Sequence, residues 1–431
     1  MKLQNALIVA LLLTVPALLS AAQLKLSLNK TDGVYQKGET VELSFSADSE
    51  QDAPLQLKIQ KNNQEVVDQT LALPSGTSNH TFQYTFNEAG SIIFEAHYGD
   101  ASDTIGIVIS PDELNPGSQR PQDFDTYWTK EKARSKELRL KVDQQAIELD
   151  PSESGHEAYD VEINSPGPQP MRAIFAKPAN AQPGTLPIVI QYRAAGVKGE
   201  WCRANTHEAL KLSKRGNGAL ALDTNAHGML NHEEEAYYED LESGPLKNYS
   251  DLGNTDRDAF YFRFMYHRML RSIEFMTRQP EWDGKRILVI GESQGGGQAL
   301  AAVGLDPRVT AAVVNVPAMC DWGGPLAGRK GGWPKPIDWN KGNPEILEAV
   351  PYFDAAHLLT GSQATIFAEI GLIDQTCPST SIYAALNQAD GKVISYPVTY
   401  REHGWPKGED REHWDVHAFA ARNAFIEDYL K

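Results

Sequence analysis

Ile287-Leu288-Val289-Ile290-Gly291-Glu292-Ser293-Gln294-Gly295-Gly296-Gly297 is the stretch from which the fold is read. Four apolar residues, three of them β-branched, suit a strand buried on both faces. They run without a break into Gly-x-Ser-x-Gly, and the residues beyond read as a helix. A glycine-flanked serine between a strand and a helix is a nucleophile elbow. The glycines are mechanical: the turn is tight, and side chains beside the serine would collide with neighbouring strand and helix. The elbow lifts Ser293 to the C-terminal edge of a sheet and to a helix N-terminus.

Working outward, apolar runs at Leu186–Tyr192, Ala219–Leu222, Ala311–Val316, Ile366–Ile370 and Val393–Tyr400 alternate with helical patterns. One helix presents Met265, Met269, Ile273 and Met276 on a single face; another runs from about Gln122 to Leu138 and opens on Asp123 and Asp125, near its positive end. Strands alternating with helices predict an α/β fold: a mostly parallel sheet covered on both faces, with ligands beyond the C-terminal strand ends.

Serine is a weak nucleophile until a base takes its proton, and the base must be oriented by a third group. In an α/β-hydrolase these partners follow in the order Ser, acid, His. Ile366–Ile370 ends in Gly371-Leu372-Ile373-Asp374, and the next strand ends in Arg401-Glu402-His403-Gly404. Both groups leave the same sheet edge as Ser293. The expected set is therefore Ser293 as nucleophile, His403 as general base and then acid, and Asp374 fixing the imidazole tautomer. His413 competes for the base but follows the last strand, and Asp374 has a second reading as a helix cap before Pro378. The oxyanion hole should use the N–H of Gln294 and one from the loop Arg193-Ala194-Ala195-Gly196. His227 ends a strand, where it either lines the pocket or satisfies loop backbone groups. Trp322 and Trp405 are candidates for stacking on sugar, weighed against core packing.

The front of the chain is different in kind. No Arg or Cys precedes Arg120, and all 8 Trp lie at or after Trp128. Val41, Leu43, Phe45, then Leu55, Leu57, Ile59, then Phe82, Tyr84, Phe86 alternate with period two. About seven short strands in fewer than a hundred residues predict an all-β immunoglobulin-like sandwich over residues 23–110. Three prolines mark 111–121 as a linker, and 122–431 is the catalytic part. The sandwich reads as a spacer or a domain packed on its neighbour, with sugar binding as the other reading. Residues 1–22 combine Lys2, an apolar run Ala6–Leu19 and small residues Ser20-Ala21-Ala22. That is the pattern of a cleaved signal peptide, with a retained anchor as the alternative. It predicts a secreted or periplasmic protein with no stable membrane insertion after cleavage.

The 431 residues carry Lys+Arg 40 against Asp+Glu 57, a net charge of -17. A protein that tracks phosphates needs a basic footprint, so nucleic acid is not an expected partner. The 3 Cys (Cys202, Cys320 and Cys377) include no C-x-x-C pair, which excludes a disulfide framework and a cysteine-built metal site. Export leaves a Cys320–Cys377 bridge open.

These motifs resemble the acetyl xylan esterase / cephalosporin C deacetylase family of carbohydrate esterases. The resemblance spans roughly 120–431. It rests on Pro121-Gln122-Asp123-Phe124-Asp125-Thr126-Tyr127-Trp128, Asp258-Ala259-Phe260-Tyr261-Phe262-Arg263 and the elbow, followed by Pro307-Arg308-Val309. Pro317-Ala318-Met319-Cys320-Asp321 and Asp374-Gln375-Thr376-Cys377-Pro378-Ser379-Thr380 complete it. It implies an α/β-hydrolase that removes acetyl groups from xylo-oligosaccharides or other small esters, with no metal and no cofactor. The triad it implies is Ser293, Asp374 and His403, with oxyanion donors on Gln294 and Ala195. The chain departs from the family pattern where Arg193-Ala194-Ala195 replaces a loop like His-Gly-Tyr, which makes Arg193 a candidate substrate contact and leaves the acyl group open. A family His-Glu pair is His403-Gly404 here. Family members form hexamers, so a homo-oligomer is a further expectation that the added sandwich could obstruct. The alternatives are a feruloyl or methyl esterase, a peptidase, or an inactive sugar-binding protein on the same fold.

Overall fold

A computed structural model describes residues 22–48, 53–73, 75–339 and 342–431. The expected signal peptide lies, but for its last residue, outside the described residues. Behind it, β1 (Gln23–Leu28), β2 (Val34–Tyr35), β3 (Thr40–Asp48), β4 (Ala53–Lys61), β5 (Gln64–Leu73), β6 (Ser78–Thr85), β7 (Gly90–Tyr98) and β8 (Ala101–Ile109) form two sheets. Their orders are β1-β3-β6 and β2-β8-β7-β4-β5. The period-two residues do what alternation requires: Val41, Leu43 and Phe45 face Leu55, Leu57 and Ile59 across one core. The sequence pattern missed β2, which at two residues has no period to read.

The second unit is a nine-stranded sheet. Its strands are β9 (Val142–Ala146), β10 (His156–Ile163), β11 (Met171–Pro178), β12 (Leu186–Tyr192), β13 (Leu220–Asn225), β14 (Trp282–Glu292), β15 (Ala311–Asn315), β16 (Thr365–Gly371) and β17 (Val393–Val398). The order is β17-β16-β15-β14-β12-β13-β11-β10-β9. Strands β12 to β17 pair in parallel, and β9, β10 and β11 close the edge antiparallel. Those three edge strands were not anticipated; β9 is exposed along its whole length and carries no apolar alternation.

Each parallel strand is sorted by face. Ile188, Ile190, Val289 and Val314 pack under Met265, Met269 and Leu300 of the helices Tyr261–Met276 and Gln294–Leu305. Val189, Leu288 and Val313 pack on the other side against Leu212, Ile426 and Leu430. Helices thus cover both faces, as a parallel sheet demands. Progression along the sheet reverses between β12 and β14, so Ser293 emerges at a topological switch point, where such sheets open a crevice.

The sandwich is laid against this sheet's C-terminal edge. Val108 and Leu114 belong to the larger core. Gly106 N–H donates to the Thr399 carbonyl (2.8 Å), and the Asn63 side chain donates to the Asp374 carbonyl (3.2 Å). The segment 111–121 is also held down: Gly117 N–H donates to Asp321 (2.7 Å), and Ser118 bonds His357 (3.0 Å).

Candidate active site

The elbow begins with the approach of two backbones. A Cβ on Gly295 would lie 2.1 Å from the Tyr192 carbonyl oxygen, and one on Gly291 would lie 2.1 Å from Gly295. Only glycine lets strand and helix come this near. Ser293 itself sits at φ 55° and ψ -122°, a conformation that side chains rarely adopt and that surrounding structure must enforce. Its N–H donates to Asn315 O (3.0 Å), and its carbonyl accepts from Ala318 (2.8 Å) and Gly297 (3.0 Å).

Three strand ends converge on the hydroxyl. His403 Nε2 lies 2.9 Å from Ser293 Oγ, and His403 Nδ1 lies 2.8 Å from Asp374 Oδ2. Asp374 is buried, and its other oxygen accepts N–H bonds from Thr376 (2.7 Å) and Cys377 (2.8 Å). The capping reading of this residue thus describes one carboxylate oxygen and the orienting reading the other. The competing base, His413, bonds Tyr400 instead (2.6 Å).

A buried ionic cluster braces the same loops. Arg401 is fully buried between Glu369 (3.0 Å) and Glu292 (3.3 Å), and Trp414 donates to Glu369 (2.7 Å). Burial pushes the Glu369 carboxyl up, and Arg401 opposes it. Glu292 also accepts the Trp405 indole N–H at 2.9 and 3.1 Å. These bonds join the residue before Ser293 to the strand end before His403 and to the residue two beyond it.

Gln294 is the first residue of the helix, with its N–H at the positive terminus. The loop after β12 is fixed through its carbonyls. Arg193 O accepts from Gln298 (3.4 Å), Ala195 O from the Trp201 indole (2.9 Å), and Gly196 O contacts His227 Nε2 (3.0 Å). A carbonyl can only accept, so Nε2 carries the proton and Nδ1 accepts from the Tyr261 hydroxyl (2.7 Å). Burial, with Arg268 nearby, takes the His227 pKa down to about 3, so the ring is neutral at working pH. Tyr249 stacks edge-on against that ring at 4.3 Å and donates to Gln294 Oε1 (2.6 Å). One aromatic group therefore supports both sides of the expected oxyanion hole.

The expected substrate contacts divide. Trp405 is half exposed beside the site. Trp322 is fully buried and donates to Trp333 O (3.2 Å), so the stacking expectation is corrected to core packing. Arg193 is turned under the loop into a buried fork on Asp223, leaving its guanidinium committed to that carboxylate rather than to substrate. His227 is buried and holds the loop, the second of its two readings. Trp201, exposed and bonded to Ala195, was missed: a lone tryptophan in a loop carries no periodic signal. All three thiols are free and buried. Among the described residues, Asp374, Cys377 and His403 form the one grouping spaced to hold a metal ion. Two of these already bond each other, and burial pushes the Cys377 thiol far up, away from the thiolate a metal would need.

The family model of the acetyl xylan esterases matches residues 112–412. The acetyl esterase Axe7A of Xylanibacter ruminicola is 30% identical over 314 residues, 71% of this chain and 68% of that protein. Among solved structures, an acetyl xylan esterase from Paenibacillus sp. R4 superposes with a TM-score of 0.61 at 25% identity, over 74% of this chain and 98% of that one. Acetyl xylan esterase 1 from Thermoanaerobacterium sp. JW/SL YS485 gives 0.59 at 20% identity with the same coverage, a likeness of fold.

Proposed function

The chain belongs to the acetyl xylan esterase family, and on that footing we propose that it deacetylates carbohydrate through a covalent acyl-enzyme on Ser293. It is a carboxylic ester hydrolase acting on acetylated sugars. The observation that carries the mechanism is the relay of two hydrogen bonds from Asp374 through His403 to Ser293 Oγ.

In the reaction, Oγ attacks the acetyl carbonyl as His403 Nε2 takes its proton. The N–H groups of Gln294 and Ala195 receive the oxyanion. Such donors act because they are fixed before charge develops, and the carbonyls of Arg193, Ala195 and Gly196 are all tied. His403 then gives its proton to the departing sugar oxygen, leaving acetyl on Ser293. Water enters, His403 takes a proton from it, and collapse of the second tetrahedral intermediate releases acetate and restores the hydroxyl. Asp374 holds Nδ1–H throughout and steadies the imidazolium.

The apolar leader at residues 1–22 supports export, to the periplasm or beyond. Among the described residues no helix is long and apolar enough to cross a membrane.

Acetate release from p-nitrophenyl acetate and from acetylated xylan, wild type beside Ser293→Ala, tests the reading. The variant should keep its Tm and lose at least about 10³-fold in kcat. Retained turnover would overturn the assignment of Ser293, and turnover of the small ester alone would overturn the sugar substrate.

A further inference from the structure

Among the tryptophans whose side chains are described, Trp201 and Trp405 stand out in water, 65% and 50% exposed; Trp128, Trp322 and Trp414 are buried. Neither exposed indole is a loose surface residue. Each spends its N–H on a neighbour of the reacting atoms: Trp201 on the Ala195 carbonyl (2.9 Å), Trp405 on the Glu292 carboxylate (2.9 Å). Each also has one face backed. A Cβ on Gly199 would lie 2.5 Å from the Trp201 ring, so the missing side chain lets the indole lie against the backbone. Arg411 sits 5.0 Å over the Trp405 ring, and Trp414 lies 5.9 Å from it.

The sheet order fixes where they stand. Trp201 leaves the loop after β12 and Trp405 the loop after β17. In the order β17-β16-β15-β14-β12 these strands lie on opposite sides of β14, the strand that presents Ser293. Two rigid aromatic faces with satisfied N–H groups thus flank the nucleophile from both sides. An indole face is large, apolar and electron-rich, which suits the C–H-lined face of a neutral pyranose. β17 and β12 stand four strand spacings apart, about 19 Å at roughly 4.8 Å each, farther than a single sugar ring reaches.

We propose that Trp201 and Trp405 are stacking platforms for sugar rings on either side of the acetylated unit, and that the preferred substrate is an acetylated oligosaccharide chain rather than an acetylated monosaccharide. This rests on the sugar esterase reading above.

The test compares kcat/KM for acetate release from p-nitrophenyl acetate, acetylated xylose and acetylated xylotetraose. In the wild type the value should climb from xylose to xylotetraose. Trp201→Ala and Trp405→Ala should each cut the xylotetraose-to-xylose ratio by at least about fivefold, the size of one aromatic contact. The cut should come through a rise in the xylotetraose KM, on top of any fall in kcat shared by all three substrates from loss of the indole bonds to Ala195 and Glu292. Trp405→Phe, which keeps a ring face without the N–H, should restore most of it. An unchanged ratio in both alanine variants overturns the inference. So does a loss by one common factor on all three substrates with the ratio unmoved, which is what loss of the indole bonds to Ala195 and Glu292 alone would produce. A wild type that cleaves p-nitrophenyl acetate but neither sugar overturns the sugar esterase reading, and the inference falls with it.

Discussion

A Cβ on Gly106, in β8 of the sandwich, would lie 2.3 Å from the carbonyl oxygen of Leu372, two residues before Asp374. The contact is backbone against backbone, so no side chain can swing aside. The front unit is therefore seated on the loop that carries Asp374. Gly106→Ala should lower stability by about 1–3 kcal/mol, as overpacking does. It should also lower kcat on p-nitrophenyl acetate, because the Leu372–Asp374 segment must yield. Thermal unfolding and steady-state rates together check this. A variant matching wild type in both would mean that the sandwich rides free of the Leu372–Asp374 loop.

His227 supports the loop carrying Ala195 from below through the Gly196 carbonyl. His227→Leu leaves that carbonyl and the Tyr261 hydroxyl without their partner. If the loop supplies an oxyanion donor, kcat should fall on the order of 10²-fold, near the effect of losing one donor, with KM little changed. His227→Gln can still present an N–H and should recover part of the rate. Equal losses in the two variants would point to general disruption of the buried aromatic group instead.

Acid should unfold this protein through its histidines. Burial, with Arg120 nearby, takes His357 down to about 4; burial with Arg268 takes His227 to about 3. In the folded protein both stay neutral, whereas in the unfolded chain they take up protons near 6.5, the ordinary histidine value. Their contribution is thus complete above pH 6.5 and is lost as pH falls toward the folded values. Between those limits each costs about 1.4 kcal/mol per pH unit, so roughly 2 kcal/mol apiece is gone by pH 5. Chemical unfolding at pH 7, 6 and 5 should show the decline. His357→Gln, away from the reacting atoms, should flatten the slope by about one proton; an unflattened slope would refute the assignment.

What the sequence made legible follows from which forces leave a local trace. Ser293 stood out as the candidate nucleophile because the elbow needs glycine on both sides and a β-branched strand before it. Asp374 and His403 followed because a parallel sheet sends every strand end to one edge, so chain order reports spatial neighbourhood. Arg193 and Trp322 misled for the same reason. Arg193 directly follows β12 and Trp322 lies in the loop beyond β15, yet which way a side chain turns there depends on distant partners: Asp223 for one, a packed aromatic core for the other. The Arg401–Glu369–Glu292 cluster was not legible either, since it joins β16, the elbow and the loop after β17 by contacts with no common spacing. The close seat at Gly106 belongs to this class too, because nothing within β8 records what lies against it.

Asp374→Asn separates the orienting role from the structural one. One oxygen of Asp374 accepts from Thr376 and Cys377, so an asparagine would keep its carbonyl there and turn its NH₂ toward His403 Nδ1. Nδ1 would then have to accept, which moves the imidazole proton to Nε2 and aims it at Ser293 Oγ. A protonated Nε2 cannot take the serine proton, so activation fails although every side chain keeps its place. The corresponding change in a serine-protease triad costs on the order of 10⁴ in kcat. The prediction is a loss of at least about 10³ at neutral pH with Tm close to wild type. The small ester and the acetylated oligosaccharide should be affected by the same factor, since neither tryptophan platform is touched. Loss on the sugar alone would mean that Asp374 serves binding rather than the tautomer, and a collapse in Tm would mean that its turn bonds, not its bond to His403, are what the enzyme cannot spare.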